Sequence, residues 1–289
     1  MSDQEFAEFD LRTGVVDAWI NPNLGPPKDP KTNVGYLFPD LQARWERGTS
    51  LEQLVDEMDA AGVSRGVLCS GYGDYDDLPW VRHAVATYPD RFAGSHVVDP
   101  REGMAAVRQV ERLVRDDGFR LIRMLALFTQ IPYDHPAYFP IYAKCAELGV
   151  AVGLNVGIPG PKVPGRHQDP MAIDDVCAFF PELTIVMQHG GEPWVDLCVK
   201  LMLKWDNLHY MSSAFSPRHI PAPIIDYLNT RGGGKMMFAS DYPLLTHERC
   251  MREARRLPLR DQDRFDAFVT HNAAALFFPV EHEPRSDRP

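Results

Sequence analysis

The chain has 289 residues, 45% hydrophobic and 24% charged, with a formal net charge of −10. That size suits one large domain, 1–280 in the chain, and the acidity leaves no basic stripe to neutralise phosphates, so neither nucleic acid nor an anionic membrane is expected as a partner. The five cysteines (Cys69, Cys145, Cys177, Cys198, Cys250) have no CxxC spacing, which argues against a zinc knuckle or disulfide framework and for reduced core thiols in the cytoplasm. The opening MSDQEFAEFD is polar and acidic, unlike a signal peptide, and no apolar run is long enough to span a bilayer.

In chain order, eight short β-rich runs are predicted as strands: 14–20, 65–70, 92–98, 119–124, 151–156, 184–189, 208–212 and 235–240. Most are apolar on both faces, as strands of a buried parallel sheet must be. Helical signals lie between them. Thr49-Ser-Leu-Glu52 reads as a capping box ahead of Leu54, Val55 and Met58. Met104, Val107, Val110, Leu113 and Val114 form one helical stripe. Tyr138, Ile141, Tyr142, Cys145 and Leu148 form another, stopped by Gly149. Eight strands alternating with helices predict an α/β protein of the (β/α)8 TIM-barrel type. A doubly wound open sheet is the runner-up, but no GxGxxG follows the first strand, and Gly232-Gly-Gly234 only ends a helix.

Two loops exceed what a barrel needs. Residues 22–48 follow the first strand and 158–169 (IPGPKVPGRHQD) follow the fifth. Both leave strand C-termini, where barrels place active sites, and their prolines make them walls or lids rather than linkers. The tail 281–289 is charged and proline-rich and reads as disordered.

The segments IVMQHGGEPW (185–194), MMFASDYPL (236–244) and HNAA (271–274) resemble the amidohydrolase superfamily. The likeness is to its amidohydrolase-2 branch of decarboxylases, hydratases and hydrolases, with aminocarboxymuconate-semialdehyde decarboxylase among them. The resemblance implies a metal held by two first-strand histidines, a histidine on each of strands five and six, and an aspartate on strand eight. Here the first-strand positions read Trp19 and Asn21, the fifth-strand position reads Asn155, and only His189 and Asp241 are kept. Indole cannot ligate and amide oxygens bind zinc poorly, so no tightly bound metal or other cofactor is expected. A weak Mg²⁺ or Ca²⁺ site on Asn21, Asn155 and Asp241 is left open.

The remaining groups suggest a metal-independent amidohydrolase-like hydrolase or lyase, the latter decarboxylase- or hydratase-like. It would act on a small carboxylated or ring substrate. His189 and Asp241 are the candidate catalytic acid–base pair. Arg123, at the end of the fourth strand, is the candidate fork for a substrate carboxylate. Asn21 and Asn155 are candidate donors to a carbonyl or enolate oxygen. Trp19 offers a flat face to a ring, and Tyr72 and Tyr242 are candidates for the pocket wall. Asp17 reads as structural, and Glu192 is a candidate for facing the site. His96, His167 and His247 are the histidines from which a ligand set could be rebuilt, whereas His83, His209, His219 and His282 read as surface or helix residues. The alternative is a non-catalytic relative, a ligand-binding or partner subunit, and a homodimer is left open in either case.

Overall fold

The computed structural model describes residues 8–279. The tail 281–289 and the first seven residues lie outside the described residues.

Eight parallel strands pair in sequence order: β1 (Val15–Ile20), β2 (Val63–Ser70), β3 (Phe92–Val97), β4 (Phe119–Met124), β5 (Ala151–Asn155), β6 (Ile185–Gln188), β7 (Leu208–Met211) and β8 (Met236–Met237). With helices between the strands, this is a nearly closed (β/α)8 TIM barrel. Outward-facing residues of the strands join the helices in the main core. Inward-facing ones, among them Val67, Leu121, Ala151, Val186 and Met211, form a second core. That inner core is stoppered from below by Ala273 and Phe277 of the helix Asn272–Phe277. Asn272 fixes the plug by donating from Nδ2 to the carbonyls of Gly233 (2.8 Å) and Met236 (2.7 Å), which gives the HNAA segment its structural role.

The strands agree with the predicted runs to within two residues, except the last, which shrinks from 235–240 to Met236–Met237. The backbone beyond Met237 spends its donors elsewhere: Phe238 N on Phe268 O, Ala239 N on Ser212 Oγ and Ser240 N on Asp17 Oδ1. The capping box also shifts by one residue. Ser50 caps the helix Leu51–Ala60, with Gln53 answering to the Ser50 N–H, while Thr49 is hydrogen-bonded to Tyr242 Oη at 3.0 Å. The stripe on Met104–Arg115 is buried as predicted at Val107, Val110 and Leu113, although Met104 is exposed. Gly149 ends Phe139–Leu148 in the left-handed conformation. The first long loop is less irregular than its composition suggests, since it contains the helix Leu41–Arg47.

Closure between β8 and β1 is the seam that an open sheet would lack. One isolated bridge joins Ile20 to Tyr242, helped by Ala18 N to Phe238 O (3.0 Å) and Asp241 N to Trp19 O (3.1 Å). The fully buried Asp17 carboxylate supplies the rest. It accepts from Trp19 N at 3.1 Å, from Ser240 N at 2.9 Å and from Ser240 Oγ. His247 Nε2 lies 3.2 Å from its other oxygen, close enough for attraction but not aligned as a hydrogen bond. Asp17 is therefore structural.

All five cysteines are buried and unbridged. Among the described residues, no helix is long and apolar enough to cross a membrane.

Replacing Asp17 with Ala is expected to cost about 3 kcal/mol, because three buried donors lose their acceptor together. Urea denaturation would measure it, and a loss below about 1 kcal/mol would remove Asp17 from barrel closure.

Candidate active site

The C-terminal rim of the barrel opens into a cavity of about 430 Å³. The two long loops form its upper wall and are clasped to each other by Tyr36 Oη to Gly160 O (2.5 Å) and Lys162 N to Lys31 O (2.8 Å). They are walls, as their proline content suggested.

His189 and Asp241 meet on the floor. Each follows its strand in a left-handed backbone conformation, φ 65° for His189 and 59° for Asp241. Non-glycine residues rarely adopt it, and such residues concentrate at functional sites. His189 is held by its N–H to Ser213 Oγ, and Asp241 by its N–H to Trp19 O. The result brings His189 Nδ1 within 3.8 Å of Asp241 Oδ2. The glycines of the His-Gly-Gly run serve the same turn. A Cβ on Gly190 would collide with the Phe215 ring at 1.9 Å, and that ring lines the cavity.

Burial pushes the Asp241 carboxyl up to about 7, against hydrogen bonds from Asn21 and Trp19 and the Arg123 charge, which lower it. Burial, helped by Arg123, pushes the His189 imidazole down to about 3. The group poised to exchange a proton near neutrality is thus the carboxyl, and the imidazole is neutral, although unperturbed values assign those states the other way round. With the imidazole neutral, the 3.8 Å oxygen-to-nitrogen distance is a contact rather than an ion pair.

Trp19 and Asn21 occupy the first-strand positions. A register shift between Asp17 and Ile20 turns Trp19 into the barrel mouth. Its ring packs edge-on to His189 (4.6 Å) and lies over the Arg123 guanidinium (4.3 Å). Its Nε1 donates to Asn21 Oδ1 at 3.0 Å, and Asn21 Nδ2 donates to Asp241 Oδ1 at 2.8 Å and to Tyr242 O at 2.9 Å. Asn21 thus orients Asp241 through its Nδ2, while its oxygen accepts one hydrogen bond, from Trp19.

Trp19, Asn21, Asn155, Tyr72, Glu192, His189 and Asp241 all line the cavity. Arg123 and Tyr242 do not. Arg123 is fully buried beneath Trp19, donating from Nη2 to Ser70 O at 2.7 Å, with Nε and Nη1 unpartnered. Tyr242 stacks on His247 at 4.8 Å with its hydroxyl on Thr49. The histidines considered for a rebuilt ligand set stay apart from His189. His96 pairs with Ser70 Oγ through Nδ1, His167 accepts from Arg166, and His247 sits against Asp17. His209 is a strand residue on β7, not a surface or helix residue as predicted, and burial pushes it down to about 4. His83 and His219 are exposed, and His282 lies outside the described residues.

Several wall residues were not singled out in the sequence: Trp45, Tyr75, Asp77, Gln168 and Phe215. Asp77 was the most legible of them, lying in the acidic run GYGDYDD directly after β2. It accepts from Gly71 N at 2.8 Å, and burial raises its carboxyl above the ordinary range.

A family model described as amidohydrolase, of the amidohydrolase-2 type, matches residues 16–278. The chain belongs to that family. No curated protein matches it. Among solved structures, an uncharacterised TIM-barrel protein from Bordetella bronchiseptica is 23% identical with a TM-score of 0.77, over 92% of this chain and 98% of its own. A 5-carboxyvanillate decarboxylase from Sphingomonas paucimobilis is 17% identical (TM-score 0.69; 93% and 99% covered). A 2,6-dihydroxybenzoate decarboxylase from Rhizobium is 18% identical (TM-score 0.70; 92% and 99% covered). A probable 2-pyrone-4,6-dicarboxylic acid hydrolase also matches, at 14% identity. At such identities the likeness carries the fold and not the reaction.

Manganese is bound in neighbouring structures, among them a dihydroxybenzoic acid decarboxylase from Polaromonas sp. JS666. That finding corrects the expectation of a family member without a cofactor: the scaffold accepts a metal even though the described residues hold no group of three His, Cys, Asp or Glu able to bind one. The donors here are His189, Asp241 and Asn155. His189 Nδ1 and Asn155 Oδ1 are buried without hydrogen-bond partners, as ligating atoms awaiting an ion would be. A set of imidazole, carboxylate and amide oxygen fits a divalent ion of manganese's preferences.

Chelated protein titrated with Mn²⁺ is expected to bind about one equivalent, and His189→Ala or Asp241→Asn to abolish it. Undiminished binding in both variants would place the ion elsewhere. A second expectation concerns pH. Burial and Arg123 push His96 down to about 4, so it folds neutral. Its contribution to stability is complete above pH 6.5 and is lost as pH falls toward 4, by on the order of 2–3 kcal/mol. Urea midpoints at pH 7.5 and 4.5 should therefore differ less in His96→Gln than in the wild type. An equal difference would refute it.

Proposed function

We propose that this protein is an enzyme of hydrolase or lyase type acting on a small ring-bearing substrate, with Asp241 and His189 as its proton-handling pair. One observation carries the reading: a carboxyl and an imidazole 3.8 Å apart on the floor of a closed-walled cavity, at the barrel end where such folds do chemistry. Family membership supports it, and the decarboxylases and hydrolase among the structural neighbours span both reaction types.

The residues divide the work by position. Asp241, oriented by Asn21 and poised near neutrality, can take a proton from an attacking water and return it to the leaving group. In a lyase step it can protonate the carbon left behind. His189 presents a neutral imidazole beside it and can hold a substrate oxygen or N–H. The Asn155 amide can stabilise charge developing on a carbonyl oxygen. Trp19 and Tyr72 present flat faces to a ring. When bound, a divalent ion supplies Lewis-acid polarisation of a substrate carbonyl. The competing reading, a subunit that binds without turnover, draws on Trp19 and Asn21 at the first-strand ligand positions.

The test is a panel of ring acids, lactones and cyclic amides, with Mn²⁺ and with chelator, followed by product analysis. Turnover is expected from the wild type and a fall of roughly 100-fold or more in folded Asp241→Asn. Full turnover by that variant would remove Asp241 from the chemistry, whereas binding without any product would favour the non-catalytic reading.

A further inference from the structure

The charge on the cavity wall has a sign, and it is the opposite of what a carboxylate ligand needs. Asp77, Glu192 and Asp241 line the cavity, and no lysine or arginine does among the described residues. The nearby cations stand off the wall. Arg123 lies under the Trp19 ring with Nε and Nη1 unpartnered, Arg44 donates to the carbonyls of Pro243 and Leu244, and Lys162 packs on the Tyr36 ring at 5.1 Å. The wall is also aromatic, with Trp45, Tyr72, Tyr75 and Phe215 around Trp19. Two of its unmet polar atoms are acceptors, Gln168 Oε1 and Asn155 Oδ1, buried without partners like His189 Nδ1, and the buried Asp77 carboxylate accepts from the Gly71 backbone N–H.

We propose that the cavity selects a ring-bearing organic cation, a protonated or quaternary amine, over a ring-bearing carboxylate. Ring faces carry negative quadrupole charge and attract ammonium groups, buried carboxylates need a countercharge, and unpartnered acceptors need N–H donors. A protonated ring-bearing amine answers all three, and a quaternary one, which has no N–H, answers the first two. The net charge of −10 would draw such a ligand and repel an anion. The inference deepens the reading above and rests on the same cavity being the working site.

The test is calorimetric titration with probes that share one ring: benzylamine, benzyltrimethylammonium, benzyl alcohol and phenylacetate. The two cations are expected to bind at least about tenfold more tightly than phenylacetate, with benzyl alcohol between them. Asp77→Asn and, separately, Glu192→Gln should each shrink that preference severalfold. Glu192 is exposed, so its variant keeps the test open if Asp77→Asn folds poorly. Equal or tighter binding of phenylacetate, or no binding by either cation, overturns the proposal. The readout is binding alone, so turnover of a carboxylated ring dependent on Asp241 would uphold the proposed reaction while sinking this ligand class.

Discussion

Everything at the mouth of this barrel depends on how β8 is fastened to β1. The ladder between them is reduced to one bridge and a few backbone hydrogen bonds, and the buried Asp17 carboxylate reinforces it by collecting donors from Trp19 and Ser240. The same hydrogen bonds that close the barrel also fix Trp19 and present Asp241 in its left-handed turn. A barrel closed by an ordinary ladder would run on through Ser240 and could not present Asp241 this way.

Around that seam the interior is electrically unusual. Arg123 is buried in the barrel with two of its nitrogens unpartnered, covered by the Trp19 ring. Its charge bears on His189 and Asp241 together, adding to the burial that keeps the imidazole neutral and opposing the rise that burial imposes on the carboxyl. Trp19 is thus a partition between a cationic interior and an acidic, aromatic cavity. A smaller ring in its place could not cover the guanidinium so broadly.

Structural neighbours hold manganese on this scaffold, and in this chain the strong donors on the cavity floor are His189 and Asp241. Asn21 bridges Trp19 to Asp241 and so supports the carboxyl. Binding, orientation and proton transfer are then shared among few groups, so each matters more.

The sequence by itself determined the architecture. Doubly apolar runs must be buried on both faces, and eight of them alternating with helical stripes leave a barrel as the natural closure. The segments around His189 and Asp241 were also legible, because unusual turns demand particular residues in particular order. What only the tertiary structure decided was the character of the site. Arg123 at a strand end read equally well as a carboxylate fork and as an interior group, and packing against Trp19 placed it inside. The reversal of the His189 and Asp241 proton affinities, and the contributions of Asp77, Gln168 and Phe215 to the wall, arise from burial and from contacts between distant segments. Local sequence patterns report which side chains a strand or turn carries. They do not report how deeply a charge is buried or what stands opposite it across a cavity.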